Sequence, residues 1–353
     1  MQPIAGESVL PMIALIFLTA VLTLVCCKLV ISRAHKWRLI DTPNQRSSHN
    51  VPTPKGGGIG LVIAGSLAGL YLLVRSSFNR YAVVVLIISC CVAVVGLQDD
   101  RKPISVRLRL GLHVVLAALL LIVLGGSVEM QRFVENWASR TLIYAFLLLV
   151  IVWWINLFNF MDGVDGLAGM QTIFMLLAGA GLLVGLRHQV IADPLIAWML
   201  CVAGATAGFL LLNWAPAKIF MGDVGSNYLA FMLLSFGLLT IRNELISVPT
   251  GLAMWAILGA AFATDATITL MTRIFTKKRW LQGHSTHLYQ RLARRFGSHS
   301  RVTLIYLAVN LIWLLPLAFL CTRIPQWAVG LAVIAYLPLI AVAIMMGAGK
   351  PDD

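Results

Sequence analysis

Residues 141–158 read Thr141-Leu142-Ile143-Tyr144-Ala145-Phe146-Leu147-Leu148-Leu149-Val150-Ile151-Val152-Trp153-Trp154-Ile155-Asn156-Leu157-Phe158, and the chain runs on as Asn159-Phe160-Met161-Asp162-Gly163-Val164-Asp165-Gly166-Leu167-Ala168-Gly169. The first part is uncharged over close to the length that crosses a bilayer, about 20 residues. The second part sets amides and acids directly at its end. Apolar runs of the first kind recur at about 8–30, 58–74, 81–97, 109–125, 169–186, 194–212, 227–241, 250–271, 302–320 and 327–347, making eleven in all. The chain of 353 residues is 59% apolar and 12% charged, and its mean hydropathy is +0.88. Soluble domains carry about 25% charged residues, so a soluble enzyme, a disordered chain, a collagen and a disulfide scaffold are excluded. The six cysteines, at 26, 27, 90, 91, 201 and 321, lie within or at the ends of apolar runs with no C-x-x-C spacing, and read as packing residues. The fold class expected is all-α: a polytopic integral membrane protein with about eleven transmembrane helices, forming one membrane-embedded domain over 1–353.

Charge orients the spans. No Lys or Arg precedes the first run, whereas Lys28, Arg33, Lys36 and Arg38 follow or end it. That pattern is not a signal peptide, and the positive-inside rule places the N-terminus outside. Alternation then makes 31–57, 98–109, 159–168, 213–226, 272–301 and the C-terminal tail cytoplasmic. These segments hold 19 Lys and Arg against seven in the outside loops. The 227–241 run is the shortest, but removing it would export the basic 272–301 loop, so it is kept. The net charge of +13 fits a face lying against anionic lipid or one that handles anionic substrates. Nothing points to nucleic acid.

Acids cluster on this basic face, and five constellations stand out. Asp99 and Asp100 end the third span, where a helix C-terminus disfavours carboxylates; they read either as loop acids paired with Arg101 and Lys102 or as a metal- or proton-handling pair. Asn156, Asn159 and Asp162 are three apart and share one helix face, with Asp165 in the turn that Gly163 and Gly166 permit. Polar residues held at membrane depth are functional candidates. Phe220-Met221-Gly222-Asp223-Val224-Gly225-Ser226-Asn227 offers Asp223 and a helix N-terminus with Ser226 as a possible cap. The 272–301 loop contains His284, His287 and Arg291, with Leu288, Leu292 and Phe296 at the spacing of a short amphipathic helix on the membrane surface. Its histidines can donate to phosphate oxygens; zinc is disfavoured for want of further N or S ligands. Finally, Asn44, Arg46, His49 and Lys55 lie in a loop that ends Gly56-Gly57-Gly58, a nest able to cradle phosphate, although not a Walker loop. Outside these groups, Asp193 reads as a helix cap and Asp265 as a structural acid paired within the bundle.

Together these groups can supply oxygen donors for a hard cation, Mg²⁺ or Mn²⁺, cations for phosphates, and apolar spans for a lipid tail, which is what phosphoryl transfer at a membrane needs. In order along the chain, D-x-P-N-x-R-S-S-H-x-x-P-T-P-K-G-G-G, the Asp99-Asp100 pair, N-x-x-N-x-x-D-G-x-D-G-L-A, F-M-G-D-V-G-S and H-x-x-H closely resemble the polyprenyl-phosphate N-acetylhexosamine-1-phosphate transferases. The resemblance covers essentially the whole chain. Eleven spans look like the branch that starts O-antigen or related surface glycans. The peptidoglycan branch usually has ten spans and three consecutive histidines where this chain has His284 and His287.

The resemblance implies a bacterial inner-membrane enzyme that converts a UDP-N-acetylhexosamine and undecaprenyl phosphate into undecaprenyl-diphospho-sugar and UMP, with its active site on the cytoplasmic face. It implies that Asp223 and Asn159 ligate Mg²⁺, that Phe220 stacks on uracil with Asp165 at the uridine, and that Asp99 with Asp100 contacts the lipid phosphate. It further implies that His284, His287 and Arg291 engage the diphosphate and sugar. Asp162 counts among the catalytic residues, and Asn44, Arg46, His49, Lys55 and Asn156 among the substrate-binding ones. The identity of the sugar is left open, and so is assembly, with a homodimer as one expectation. The rival classes are a secondary transporter of anionic metabolites, whose charges belong near the midplane, and a phospholipid head-group transferase, whose D-G-x-x-A-R type signature is missing here.

Overall fold

The computed structural model describes residues 9–43, 51–75, 80–124, 137–187, 193–277 and 285–350. Asn44, Arg46, His49 and His284 lie outside the described residues. The helices are α1 (Val9–Trp37), α2 (Gly58–Arg75), α3 (Arg80–Arg101), α4 (Val106–Leu124), α5 (Trp137–Phe160), α6 (Leu167–Leu186), α7 (Pro194–Asn213), α8 (Gly222–Arg242), α9 (Val248–Leu258), α10 (Ala260–Phe275) and the short α11 (Leu288–Phe296). They are followed by α12 (His299–Arg323), interrupted by a π turn at Asn310–Leu314, and α13 (Ala328–Met345). Ten of the described helices are long and apolar enough to cross a membrane, and α9 with α10 passes the same test together as a bent pair, for up to eleven spans. The chain is an all-α multi-span membrane protein, as its hydropathy requires. Among the described residues the only strand pairing is a two-residue antiparallel ladder between Ile40–Asp41 and Thr53–Pro54.

Two spans differ from their sequence outlines. The shortest run, expected at 227–241, is a helix of 21 residues that begins at Gly222 and is 89% buried, against 17% for α1. It is the central helix of the bundle, flanked by α3, α5 and α2. Hydropathy truncated it because Asp223, Ser226 and Asn227 are polar, yet they sit in its first turns. The 250–271 run is not straight: it bends by 71° between α9 and α10, at Gly259. A Cβ on Gly259 would lie 2.7 Å from the Trp154 ring. The carbonyl of Leu258, at the bend, accepts from the Gln171 amide at 3.0 Å, and Gln171 in turn accepts from Asn310 of the π turn at 2.7 Å.

Peripheral helices present large apolar side chains outward, Leu10, Phe17, Val74, Ile122, Leu142 and Ile312 among them, as lipid-facing surfaces do. Asp193 caps α7 by accepting from the Leu195 N–H at 2.8 Å, as its position before Pro194 indicated.

Candidate functional site

The N-terminal end of α8 is built into its neighbours by two glycines. A Cβ on Gly58 would sit 2.2 Å from the Gly225 Cα, and one on Gly96 would sit 2.3 Å from the Asp223 carbonyl oxygen. The start of α2 and the end of α3 therefore touch α8 backbone to backbone. The Gly57 and Gly58 N–H groups donate to the Phe220 and Met221 carbonyls, each at 2.9 Å. This corrects the expectation of a phosphate nest here: those N–H groups are already used to hold two chain segments together.

Asp100 completes this junction. Its Oδ2 accepts from the Val224 N–H at 3.0 Å, so α3 supplies the acidic cap that α8 lacks at its own N-cap, Met221. An acid at a helix N-terminus is favoured by the exposed N–H groups and the helix dipole, which explains a buried carboxylate at the otherwise unfavourable end of α3. Ser226, expected as the cap, lies inside α8 and accepts from Asn159 Nδ2 at 3.0 Å. Lys55 Nζ lies 3.7 Å from Asp100 Oδ1.

Asp99 points elsewhere. Its Oδ1 accepts from the Ile104 N–H at 2.8 Å, and its Oδ2 pairs with Arg109 Nη1 at 2.7 Å. Arg109 also reaches Asp223 Oδ2 at 3.5 Å, and Asn159 Nδ2 donates to Asp223 Oδ1 at 2.6 Å. Asp223 is thus held from both sides, by α4 and by α5. The sequence counted Arg109 only among orienting charges of the 98–109 loop. Its spacing of ten residues from Asp99 gave no signal, because the two meet only after α3 and α4 pack.

These residues border a cleft of about 290 Å³ lined by Asp41, Lys55, Asp100, Asn159, Asp162, Asp165, Asn213, Phe220, Asp223, Gln290 and His299, together with backbone of the 163–164 and 221–222 turns. Every one of the five loops named above contributes. Five carboxylates face one lysine. Asp162 shows the consequence: burial, reinforced by the nearby Asp223, Asp100 and Asp165 carboxylates, raises its pKa well above the ordinary carboxylate value. Among the described residues its side chain has no hydrogen-bond partner.

In the same lining, Asp165 Oδ2 accepts from the Ala217 N–H at 3.1 Å and lies 3.2 Å from His299 Nδ1. The Gly166 N–H donates to Asn213 Oδ1 at 3.0 Å, and Asn213 Nδ2 to the Ile219 carbonyl at 2.9 Å, tying the 163–166 turn to the loop that carries Phe220. Asn213, Gln290 and His299 were all missed in the sequence. Each lies inside or at the edge of a helix, with no motif around it.

Other expected residues sit apart from the cleft lining. Asn156 back-bonds to the Val152 carbonyl at 2.7 Å. Arg291 Nη1 donates to the Lys350 carbonyl at 3.0 Å, turning toward the C-terminal turn. His287 is the N-cap of α11 in a capping box with Gln290, buried with its Nδ1 3.6 Å from Asp265 Oδ1. Asp265 accepts from the Leu288 and Tyr289 N–H groups at 2.8 and 2.9 Å and from the Tyr306 hydroxyl at 2.6 Å, the structural role expected of it. Helix α11 therefore buries Leu288, Tyr289, Leu292 and Ala293 against the protein, not against the lipid surface.

Among the described residues, no group of three or more His, Cys, Asp or Glu is placed to hold a metal ion. Mg²⁺ commonly takes only one or two protein carboxylates and completes its shell with phosphate oxygens and water. Asp223 and the unpartnered Asp162 suit that requirement, and Asn159 joins them if its amide turns to present oxygen where it now donates to Asp223. The donor set, all hard oxygen, fits Mg²⁺ or Mn²⁺.

Comparison with known proteins agrees with this architecture. The model of glycosyl transferase family 4 matches residues 82–241. The chain is 28% identical over 318 residues to the probable undecaprenyl-phosphate N-acetylglucosaminyl 1-phosphate transferase of Bacillus subtilis (strain 168), covering 85% of this chain and 83% of that one. It is 28% identical over 333 residues to the decaprenyl-phosphate N-acetylglucosaminephosphotransferase of Mycobacterium leprae, covering 85% and 82%. It is 31% identical over 284 residues to the phospho-N-acetylmuramoyl-pentapeptide-transferase of Nocardia farcinica, covering 68% and 76%.

Proposed function

The chain belongs to the polyprenyl-phosphate N-acetylhexosamine-1-phosphate transferases of glycosyl transferase family 4, and from that premise we propose that it transfers N-acetylhexosamine-1-phosphate from a UDP-sugar to undecaprenyl phosphate, with Mg²⁺, at the cytoplasmic face of the bacterial inner membrane. As a member of that family it is a membrane enzyme that transfers a phospho-sugar to a polyprenyl phosphate. The finer reading makes it the initiating step of O-antigen or a related surface glycan. The longer alignments to the two relatives named for N-acetylglucosamine transfer support an N-acetylhexosamine donor over the pentapeptide one.

One observation carries the chemistry: five carboxylates and one lysine line a single cleft. Two anionic substrates cannot be brought together in so acidic a cleft without added positive charge, and neutralising charge is most of what phosphoryl transfer asks of a protein. Mg²⁺, when bound, supplies that charge and polarises the transferred phosphoryl group. Asp223, Asp162 and Asn159 are the residues that would hold it.

In the reaction a lipid phosphate oxygen bonds to the sugar-bearing phosphorus, and the bond from that phosphorus to the bridging oxygen breaks, releasing UMP. A phosphate monoester loses its second proton near pH 6, so at pH 7 the acceptor is mostly a dianion and needs little help from a base. Asp99 suits that economy. Its oxygens meet Ile104 and Arg109, so it orients Arg109 and, through it and by its own contact, Asp223. Asp100 caps α8 and holds Lys55 beside the cleft, where the ammonium can meet phosphate. Phe220 and Asp165 line the same cleft and offer a ring and a carboxylate for the uridine.

A transporter is the weaker reading. It would use polar groups at a helix break; the break here at Gly259 leads to Asp265, whose oxygens are filled by protein donors. The test is transfer of label from a panel of UDP-N-acetyl sugars into lipid extract, with membranes containing the protein, undecaprenyl phosphate and Mg²⁺. One sugar should be transferred with release of one UMP, and EDTA should abolish it. Failure with every sugar refutes the proposed donor class, and transfer unaffected by EDTA refutes the cation.

A further inference from the structure

The Asp165 wall of the cleft is governed by a helix start that no motif marks. His299 and Thr303 are one turn apart at the beginning of α12, and both grip Asp165. His299 Nδ1 is 3.2 Å from Asp165 Oδ2. The Thr303 hydroxyl donates to the Asp165 backbone carbonyl at 3.1 Å. His299 Nδ1 also lies 3.4 Å from the Asp165 N–H. Nδ1 accepts from that N–H and packs against the carboxylate, so His299 and Thr303 between them hold both backbone groups of Asp165.

With the Ala217 N–H on Oδ2 and the His299 ring against it, and the backbone of Asp165 held by α12, the carboxylate is restrained. Among the described residues Oδ1 has no hydrogen-bond partner, and Asp165 lines the cleft. The result is a single unpartnered acceptor oxygen on a residue that lines the cleft together with Asn213, Phe220 and Gln290. An acceptor, amides and an aromatic ring in one place suit a heteroaromatic base with an N–H donor, the chemistry of a uracil ring.

We propose that His299 and Thr303 are positioning residues for the nucleotide, acting through Asp165: α12 fixes the carboxylate oxygen that the base's N–H meets. This rests on the nucleotide-sugar reading above and adds to it the residues that set the affinity of the nucleotide end. Loss of a hydrogen bond that orients a charged acceptor weakens the contact made through it by about tenfold.

The test uses the full-length protein in detergent with UMP as the binding probe, by calorimetry, alongside initial rates with varied nucleotide sugar and varied lipid phosphate. In His299→Ala, UMP affinity should fall about tenfold and KM for the nucleotide sugar should rise similarly, with KM for the lipid phosphate unchanged and kcat within about twofold. His299→Asn, whose side-chain oxygen can accept from the same Asp165 N–H, should recover most of the loss. Thr303→Val should move the same two parameters in the same direction. Unchanged UMP affinity in His299→Ala overturns the inference. So does an equal rise in both KM values, or a failure of His299→Asn to recover when both variants melt like the wild type. Should His299→Ala not fold, the Thr303→Val and His299→Asn affinities decide it, and wild-type values in both overturn it. If the unmodified protein binds no UMP, it is the nucleotide reading itself that fails.

Discussion

Replacing Asp265 with Asn is the sharpest probe of how the bent span serves the cleft. The Asp265 carboxylate receives the Leu288 N–H on Oδ1 at 2.8 Å, and the Tyr289 N–H at 2.9 Å and the Tyr306 hydroxyl at 2.6 Å on Oδ2. An amide has one acceptor oxygen. Its best placement keeps that oxygen where Oδ2 was, which leaves the Leu288 N–H facing an NH₂ group in a buried site. One hydrogen bond to a charged acceptor is lost, about 1.5–3 kcal/mol, and one donor is left unsatisfied, about 1–3 kcal/mol. The expected cost is therefore about 3–5 kcal/mol. Helix α11 has nine residues, too few to hold itself without docking, so its loss displaces Gln290 from the cleft. Tyr306→Phe, which removes one donor and leaves both backbone N–H bonds, should cost only about 1 kcal/mol. Thermal unfolding in detergent and turnover in the coupled lipid assay measure both variants. An Asp265→Asn protein with wild-type melting and turnover, or one no worse than Tyr306→Phe, would refute the account of α11 as a docked element.

Three more expectations follow from the same geometry. Gly58→Ala places a methyl group 2.2 Å from the Gly225 Cα, where only backbone movement relieves the clash; it should cost about 1–3 kcal/mol, read as a lower unfolding midpoint, and an unchanged midpoint would mean that α2 and α8 are not in close contact. Asp223→Asn should reduce turnover more than Asp99→Asn, since Asp223 faces the cleft and Asp99 acts through Arg109; equal, mild losses in steady-state rates would argue against the metal assignment. The raised pKa of Asp162 means that the folded protein holds this proton more tightly than the unfolded chain. Its contribution is thus favourable at acid pH and is lost as pH climbs from the ordinary carboxylate range through the folded value. Asp162→Asn should therefore raise the melting temperature of metal-free protein more at pH 8 than at pH 5, while added Mg²⁺ should stabilise the wild type and not the variant.

Span number was legible because each crossing needs a long apolar run, and that property is local. Where the outline failed, polar side chains had been taken as loop. Asp223 and Ser226 lie in the first turn or two of α8 because Asp100 of another helix caps it and Asn159 of a third satisfies Ser226; the cost of their polarity is removed by partners far along the chain. The three glycines at 56–58 were read for what their N–H groups could offer a phosphate, but the neighbouring backbone claims two of those groups first. The acids of the cleft were recognisable from clustering on a basic face. Arg109, Asn213, Gln290 and His299 were not, since single polar residues in or beside helices carry no local pattern.

Composition and periodicity alone settled that the chain crosses a membrane about eleven times and that its acids gather at the ends of alternate spans, because hydrophobic length and charge bias act residue by residue. Which carboxylates face the cleft and which serve as caps was settled only by packing. Asp99 and Asp100 are adjacent in sequence, yet one orients an arginine and the other closes a helix end. A side chain's role depends on which N–H or guanidinium lies within about 3 Å, and those partners come from other helices.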